Sequence, residues 1–153
     1  MRVGVLRVSS VERVQWIARV LCVFGIGVAG YLTWTHLAGT APYCGSAYGC
    51  TDVQNSPYSE VGGIPVSVIG LGGYLVLLTL SLLRGRLSAE VDFYLPVLSF
   101  GAALIGVLYS AYLTYLEAFV IQAWCYWCMT SALIITAAWV ISIFDLRKAW
   151  AEG

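Results

Sequence analysis

The chain has 153 residues, of which 60% are hydrophobic and only 10% are charged, and its formal net charge is zero. A water-soluble domain of this size does not need so much apolar surface, so the composition excludes an ordinary soluble protein and is typical of a membrane protein. No cluster of Lys and Arg lies outside the flanks of the apolar runs, so no nucleic-acid partner is expected.

Four apolar runs are each long enough to cross a lipid bilayer, which takes ~20 helical residues. They predict an all-α integral membrane protein with a single domain over residues 1–153, a bundle of four transmembrane helices at about 14–37, 61–83, 93–116 and 124–144, and an outward loop over 38–60. The first run could also be a cleaved signal peptide, since arginines precede it. Its apolar part exceeds a signal-peptide core of ~7–15 residues, which favours a retained membrane anchor.

The distribution of basic residues predicts the orientation. All eight lie on one side of the four-helix arrangement: Arg2, Arg7, Arg13, Arg19, Arg84, Arg86, Arg147 and Lys148. The positive-inside rule then predicts a multi-pass protein of the plasma or inner membrane with both termini in the cytoplasm. Four of the five cysteines fall on the outward, oxidising side, where disulfides persist: Cys44, Cys50, Cys125 and Cys128.

Two of these cysteines, Cys125 and Cys128, lie three positions apart where the fourth apolar run begins. Unpaired backbone N–H groups and the helix dipole stabilise a thiolate at a helix N-terminus and so raise its nucleophilicity at neutral pH. This position indicates redox chemistry. The residues alone leave two alternatives open, which are thiols that only pack as small apolar groups and half of a tetrathiolate zinc site.

The outward loop carries the other pair, Cys44 and Cys50, in a stretch rich in Gly, Ser, Thr, Asn, Asp and Pro. A disulfide that closes such a short exposed loop is commonly labile, so the pair fits either an exchanging disulfide or a static staple. Cys22, alone in the first span, is expected to pack as a small apolar residue. The run of small residues from Gly25 to Gly30 is expected to allow close helix packing.

Three further features concern the ends and faces of the spans. His36, at the end of the first span, is expected to be a polar group at the membrane interface. Glu117, at the end of the third span, is expected to be a solvated helix end rather than a proton donor. The second span is rich in glycine, which permits close approach of a neighbouring helix or of a planar ligand: Gly62, Gly63, Gly70, Gly72 and Gly73.

Two outward dithiols attached to a helical bundle indicate a thiol relay, with one pair on a loop and the other at the membrane surface. Electrons that leave the pair at the membrane surface, Cys125 and Cys128 (the inner pair), need an acceptor. A lipid-soluble quinone is the available two-electron acceptor inside a bilayer. Two other interpretations stay open. One is a thiolate metal-binding protein, such as a sensor or transporter, although neither pair has nearby histidines. The other is a structural protein stapled by two disulfides.

The order of these motifs resembles the vitamin K epoxide reductase family over about residues 14–144. In the other quinone-linked family of bacterial disulfide-generating proteins, the CxxC motif lies in the first outward loop, so that family matches less well. The features that carry the resemblance are Cys44 and Cys50 in the first outward loop, Ser56 six residues on, Gly63-Ile64-Pro65 before the second span, and Cys125-Tyr126-Trp127-Cys128 before the fourth.

The resemblance implies a four-helix bundle that encloses a quinone of the menaquinone or ubiquinone type, with Cys125 and Cys128 as the active-site disulfide. Cys128 would reduce the quinone, Cys125 would exchange with Cys50, and Cys44 would meet an external thiol. The quinone contacts implied in the same way are Ser56, Ser59, Gly63 and Pro65. No metal site is implied.

Many bacterial relatives carry a fused thioredoxin-like domain, whereas this chain ends at Gly153. The resemblance therefore implies a bacterial-type member whose partner is a separate thioredoxin-fold thiol oxidase. The implied activity is quinone-dependent oxidation of that partner, which supports disulfide bond formation in exported proteins.

Overall fold

The computed structural model describes residues 2–45 and 49–152, and these residues are mostly helical. The elements in chain order are α1 (Arg2–Leu37), α2 (Gly49–Gln54), β1 (Glu60–Val61), β2 (Ile64–Pro65), α3 (Val66–Leu83), α4 (Ala89–Tyr115), a π-helical segment (Leu116–Ile121) and α5 (Tyr126–Glu152). Within these described ranges, four spans are long and apolar enough to cross a membrane, one each from α1, α3, α4 with the π segment, and α5. The prediction of an all-α, four-helix membrane bundle is confirmed.

The predicted start of the second span at residue 61 is wrong. Gly62 and Gly63 adopt positive φ values of 62° and 82° and turn the chain into the antiparallel β1–β2 hairpin, so α3 begins only at Val66. Glycine adopts this left-handed backbone without the steric cost that a side chain would add. The other bounds also shift: α1 begins at Arg2, α4 and the π segment cover Ala89–Ile121, and α5 covers Tyr126–Glu152.

Small residues let the spans approach one another in the core, where α1 and α4 each pack against α3 and α5. A Cβ added to Gly25 on α1 would lie 2.6 Å from Cζ of Tyr74 on α3, and one added to Gly106 on α4 would lie 2.8 Å from Cγ1 of Ile135 on α5. The Tyr74 hydroxyl donates to the carbonyl oxygen of Ser131 on α5 at 2.8 Å. The expected close packing at Gly25 is therefore present.

The outer faces of the bundle are apolar. Phe24 on α1, Ile105 on α4 and Leu133 on α5 are 65%, 71% and 70% exposed. Side chains of this kind are stable on the surface of a helical bundle when lipid acyl chains cover them.

Charged residues tie the helices together at one end of the bundle. Arg19 on α1 donates to the carbonyl oxygen of Ser81 on α3 at 3.0 Å, and Arg84 after α3 pairs with Asp145 on α5 at 2.9 Å. The first contact joins α1 to the C-terminal part of α3, and the second joins the end of α3 to the C-terminal part of α5. The basic residues that predict the orientation therefore help to close one end of the fold.

The charge asymmetry leads to a topology prediction. A fluorescent reporter that matures only in the cytoplasm should be bright when it is fused after Gly153, because the basic end of the bundle is retained on the cytoplasmic side. Alkaline phosphatase, which is active only outside the cytoplasm, should be active when inserted after Gly39. The reverse pattern of the two reporters would contradict the orientation.

Candidate functional site

The inner cysteine pair lies at the start of α5, and Cys125 caps the helix. Cys125 is fully buried, and its Sγ accepts the backbone N–H of Cys128 at 3.4 Å. A side-chain hydrogen bond with Cys128 lowers the pKa of the Cys125 thiol; burial opposes this effect, while the backbone N–H groups of Cys128 and Trp127 reinforce it. Cys125 therefore remains a thiolate at a lower pH than an ordinary cysteine.

Glu117 also belongs to this site, and the expectation of a solvated helix end is wrong. Its side chain is 3% exposed, and Oε2 accepts the backbone N–H of Cys125 at 3.1 Å. The reason for the error is that the helix does not end at Glu117, because the π segment continues the chain to Ile121 and keeps Glu117 inside the bundle.

A sequence signal for Glu117 was present. Between Asp92 and Asp145, Glu117 is the only charged residue in the chain. Ionisable residues in membrane spans are rare because burying a charge is costly, and they are commonly functional. The hydrogen bond between Glu117 and the Cys125 N–H could not be predicted from the sequence, because it depends on the π segment between the two residues.

The loop cysteines form the second pair. Cys44 and Cys50 are disulfide-bonded with their Cα atoms 6.3 Å apart, and Cys125 and Cys128 are free thiols. Cys44 is partly exposed, whereas Cys50 is buried. Cys44 of the loop pair therefore lies near the protein surface, and Cys50 lies in the interior.

Two contacts hold the loop pair against the inner pair. A Cβ added to Gly49, the first residue of α2, would lie 2.6 Å from the backbone nitrogen of Trp124, so α2 rests directly on the residue before Cys125. Trp127, between the inner cysteines, donates from Nε1 to the carbonyl oxygen of Tyr43 at 2.9 Å. The immediate neighbours of both loop cysteines thus contact the immediate neighbours of the inner pair.

An apolar cavity of about 570 Å³ lies inside the bundle, and both Cys128 and Glu117 line it. This volume is within the range of ~300–1,000 Å³ that is usual for small-molecule sites. Gly70 and Gly73 of α3 also line the cavity, and a Cβ on either would meet nothing within 4 Å. These glycines therefore face open space rather than a packed helix, which favours the planar-ligand alternative for the second span.

The cavity opens sideways between α3 and α4. Val76 on α3 and Ile105 on α4 both line it, yet they are 51% and 71% exposed. An opening on the lipid-facing side of the bundle allows a lipid-soluble molecule to enter without crossing water.

The four residues expected to contact a quinone separate into two groups. Ser56 and Ser59 line the cavity. Gly63 and Pro65 lie in the β1–β2 hairpin and are not among the described lining residues. The hairpin packs back onto Ser59, since the Val66 N–H donates to the Ser59 carbonyl oxygen at 2.9 Å.

A polar cavity, also of about 570 Å³, adjoins the apolar one on the loop side and shares His36, Gln54, Ser56 and Ser59 with it. His36 Nε2 lies 3.0 Å from Oε1 of Glu60, which joins the end of α1 to β1. His36 thus lines both cavities and pairs with a carboxyl. Over residues 2–45 and 49–152, no three His, Cys, Asp or Glu residues are grouped so that they could hold a metal ion.

Comparison with known proteins identifies a family and a curated relative to which the chain is similar. The model of the vitamin K epoxide reductase family matches residues 16–143, which include both cysteine pairs. Thiol-disulfide oxidoreductase LTO1 of Arabidopsis thaliana is 30% identical over 124 residues, which cover 76% of this chain and 32% of that protein. The chain therefore spans about a third of the length of this curated relative.

The contact of Gly49 with Trp124 can be tested by substitution. Gly49→Ala puts a Cβ against backbone atoms that cannot move aside easily, so we expect a loss of ~1–3 kcal/mol in the free energy of unfolding. The measurement is the thermal midpoint of the protein in detergent micelles. Gly27→Ala in α1 is the matched control, because a Cβ there meets nothing within 4 Å. Equal midpoints for the two variants would contradict the contact.

Proposed function

The chain belongs to the vitamin K epoxide reductase family, and we propose that it is a membrane thiol oxidoreductase that oxidises a thioredoxin-fold partner and reduces a membrane quinone. The observation that carries this proposal is that the residues beside the loop disulfide contact the residues beside Cys125 and Cys128, and that Cys128 lines an apolar cavity. The name of the plant relative, a thiol-disulfide oxidoreductase, supports the same class of reaction.

In the proposed relay, the partner acts first on the loop pair. A thiolate of the partner attacks Sγ of Cys44, which is partly exposed, and the Cys44–Cys50 bond breaks to release a Cys50 thiolate. The second thiol of the partner then displaces Cys44 from the mixed disulfide. The partner leaves oxidised, and the loop pair is a dithiol.

The electrons then move to the inner pair. The Cys50 thiolate attacks Sγ of Cys125 in an oxidised Cys125–Cys128 pair and releases Cys128. Cys44 attacks Cys50 in the mixed disulfide, which restores the loop disulfide and releases Cys125. Because its pKa is lowered, Cys125 is a good leaving group, and thiol–disulfide exchange is faster when the leaving thiol is more acidic.

The cavity beside Cys128 fits the acceptor. A quinone of the menaquinone or ubiquinone type accepts two electrons and two protons when bound. The volume, the aliphatic walls and the opening towards lipid suit a flat apolar ring with a hydrocarbon tail. The hydroxyls of Ser56 and Ser59 donate to the carbonyl oxygens of Val53 and Ser56, so either would have to rotate away from that bond to donate to a quinone oxygen. Gly63 and Pro65 would act by shaping the hairpin that packs onto Ser59.

The proposed location follows from the charge pattern. With the basic end of the bundle in the cytoplasm, both cysteine pairs face the extracytoplasmic side of the cell membrane. The oxidised partner would then form disulfide bonds in exported proteins. The Cys44–Cys50 disulfide favours the thiol relay over the thiolate metal site that the sequence left open.

The roles of the two pairs lead to a prediction. Cys125→Ala or Cys128→Ala should abolish quinone reduction with every reductant, because the inner pair passes electrons directly to the acceptor. Cys44→Ala or Cys50→Ala should abolish turnover with a thioredoxin-fold dithiol but retain part of the activity with dithiothreitol. The measurement is the absorbance change of a short-chain ubiquinone in vesicles that contain the purified protein.

Cys22→Ala is the matched control for these variants. Cys22 is also buried, at 3% exposure, but it lies in the helical core and lines no part of the apolar cavity beside Cys128. Its removal should leave turnover with both reductants unchanged. An equal loss of activity for all four relay variants with both reductants would contradict the order of the relay.

A further inference from the structure

We propose that Glu117 is a catalytic acid–base group that stores one proton of the reduced Cys125/Cys128 pair and passes protons from the thiols to the acceptor. This inference rests on the proposed function and deepens it, because it assigns the route of the protons that must accompany the electrons.

The first observation is the burial of the carboxyl without a cationic partner. Glu117 is 3% exposed, and no ion pair found in the described part of the chain involves it. Burying an unpaired carboxylate in an apolar bundle is costly, and a glutamine or an apolar residue would fill the same space without that cost. A carboxyl in this position is best explained by a function that needs its proton.

The second observation is that Glu117 borders both the start of α5 and the cavity. Its Oε2 accepts the Cys125 N–H at 3.1 Å, which places the carboxyl beside the first cysteine of the pair. The same side chain lines the apolar cavity beside Cys128. A carboxyl in this position can take up a proton released at the start of α5 and deliver it into the cavity that Cys128 also lines.

The third observation is the backbone that holds Glu117. It is the second residue of the π segment, and its carbonyl oxygen accepts N–H groups from Gln122 and from Ala123, the latter at 3.1 Å. Gln122 has a left-handed backbone with φ of 56°, which ends the segment and returns the chain towards Cys125. π-helical turns inside α-helices are rare and frequently lie at functional sites.

The protons and electrons balance as follows. When the inner pair is reduced, it gains two electrons and two protons; one proton stays on Cys128, and the other is held by Glu117 while Cys125 is a thiolate. On oxidation, Sγ of Cys125 bonds to Sγ of Cys128 and two electrons leave for the quinone. The Glu117 proton and the Cys128 proton follow, the second through the vacated carboxylate. In the net reaction, a dithiol and a quinone are converted into a disulfide and a hydroquinone.

Other titratable groups line the same cavity, and the test must separate them from Glu117. They come from the end of α1, the segment before β1, α3, α4 and α5: His36, Tyr58, Tyr74, Tyr109 and Cys128. His36 is paired with Glu60 at 3.0 Å, at the polar end of the cavity. Glu60→Gln therefore makes a matched control, because it removes a second carboxyl near the cavity that pairs with His36 rather than with Cys125.

The experiment compares Glu117→Gln, Glu117→Asp and Glu60→Gln with the wild-type chain in vesicles, with dithiothreitol as reductant and a short-chain ubiquinone as acceptor. Glutamine keeps an oxygen that can accept the Cys125 N–H but cannot carry a proton. We expect Glu117→Gln to lower kcat by about 10²-fold and to flatten its pH profile, which is a usual effect of losing a general acid–base group. Glu117→Asp should recover part of the rate, and Glu60→Gln should match the wild type.

A second measurement uses no quinone. Infrared difference spectra between the reduced and oxidised protein should contain the band of a protonated carboxyl in the reduced wild-type chain, and this band should be missing in Glu117→Gln. The rate at which dithiothreitol reduces the Cys125–Cys128 disulfide should be the same in both proteins, since exchange between sulfurs does not need the stored proton.

The outcomes separate the two claims. A wild-type chain that reduces no quinone would overturn the proposed function and this inference with it. A wild-type chain that reduces quinone while Glu117→Gln keeps the same rate and pH profile would overturn only this inference. Loss of dithiothreitol exchange in Glu117→Gln would also overturn it, because Glu117 would then only position the helix.

Discussion

The structure depends on how the backbone N–H groups at the start of α5 are satisfied. The first turn of any helix has backbone N–H groups without partners in the helix. At the edge of a membrane bundle, water cannot supply hydrogen bonds to all of them. Here the Cys125 sulfur takes the N–H of Cys128, and the Glu117 carboxyl takes the N–H of Cys125. The groups that cap the helix are therefore also the groups that can exchange electrons and protons, so stability and chemistry share the same hydrogen bonds.

The same turn organises the loop that carries the second pair. α2 rests on the backbone of Trp124, and the indole of Trp127 holds the carbonyl of Tyr43. Both contacts use residues adjacent to a cysteine rather than the cysteines themselves, which leaves the sulfurs free to exchange partners. Glycine is needed at position 49 because a side chain there would separate the two pairs. The large residues around Cys125 and Cys128 thus act as a docking surface for the loop.

The cavity exists because the glycines of the bundle differ in what lies beside them. The side chains of Tyr74 and Ile135 occupy the space beside Gly25 and Gly106, so these glycines let helices pack closely. Gly70 and Gly73 on α3 face open space instead. Tight packing on one side of α3 and an empty wall on the other give a bundle that is rigid yet holds an apolar chamber beside Cys128. The chamber opens towards lipid on one side and adjoins a polar space near His36 on the other.

Composition and periodicity by themselves determined the class of this protein, because a chain with so few charges and four long apolar runs can satisfy its backbone only as membrane helices. The order of the two cysteine pairs, with Ser56 and Gly63-Ile64-Pro65 between them, carried the resemblance to the family that the family model then matched. Local signals could not give the start of α3, which depends on the left-handed Gly62 and Gly63, nor the position of Glu117. Only the tertiary structure decided that this carboxyl lies against the start of α5, because the π segment keeps Glu117 inside the bundle and burial removes the water that a helix end would otherwise have.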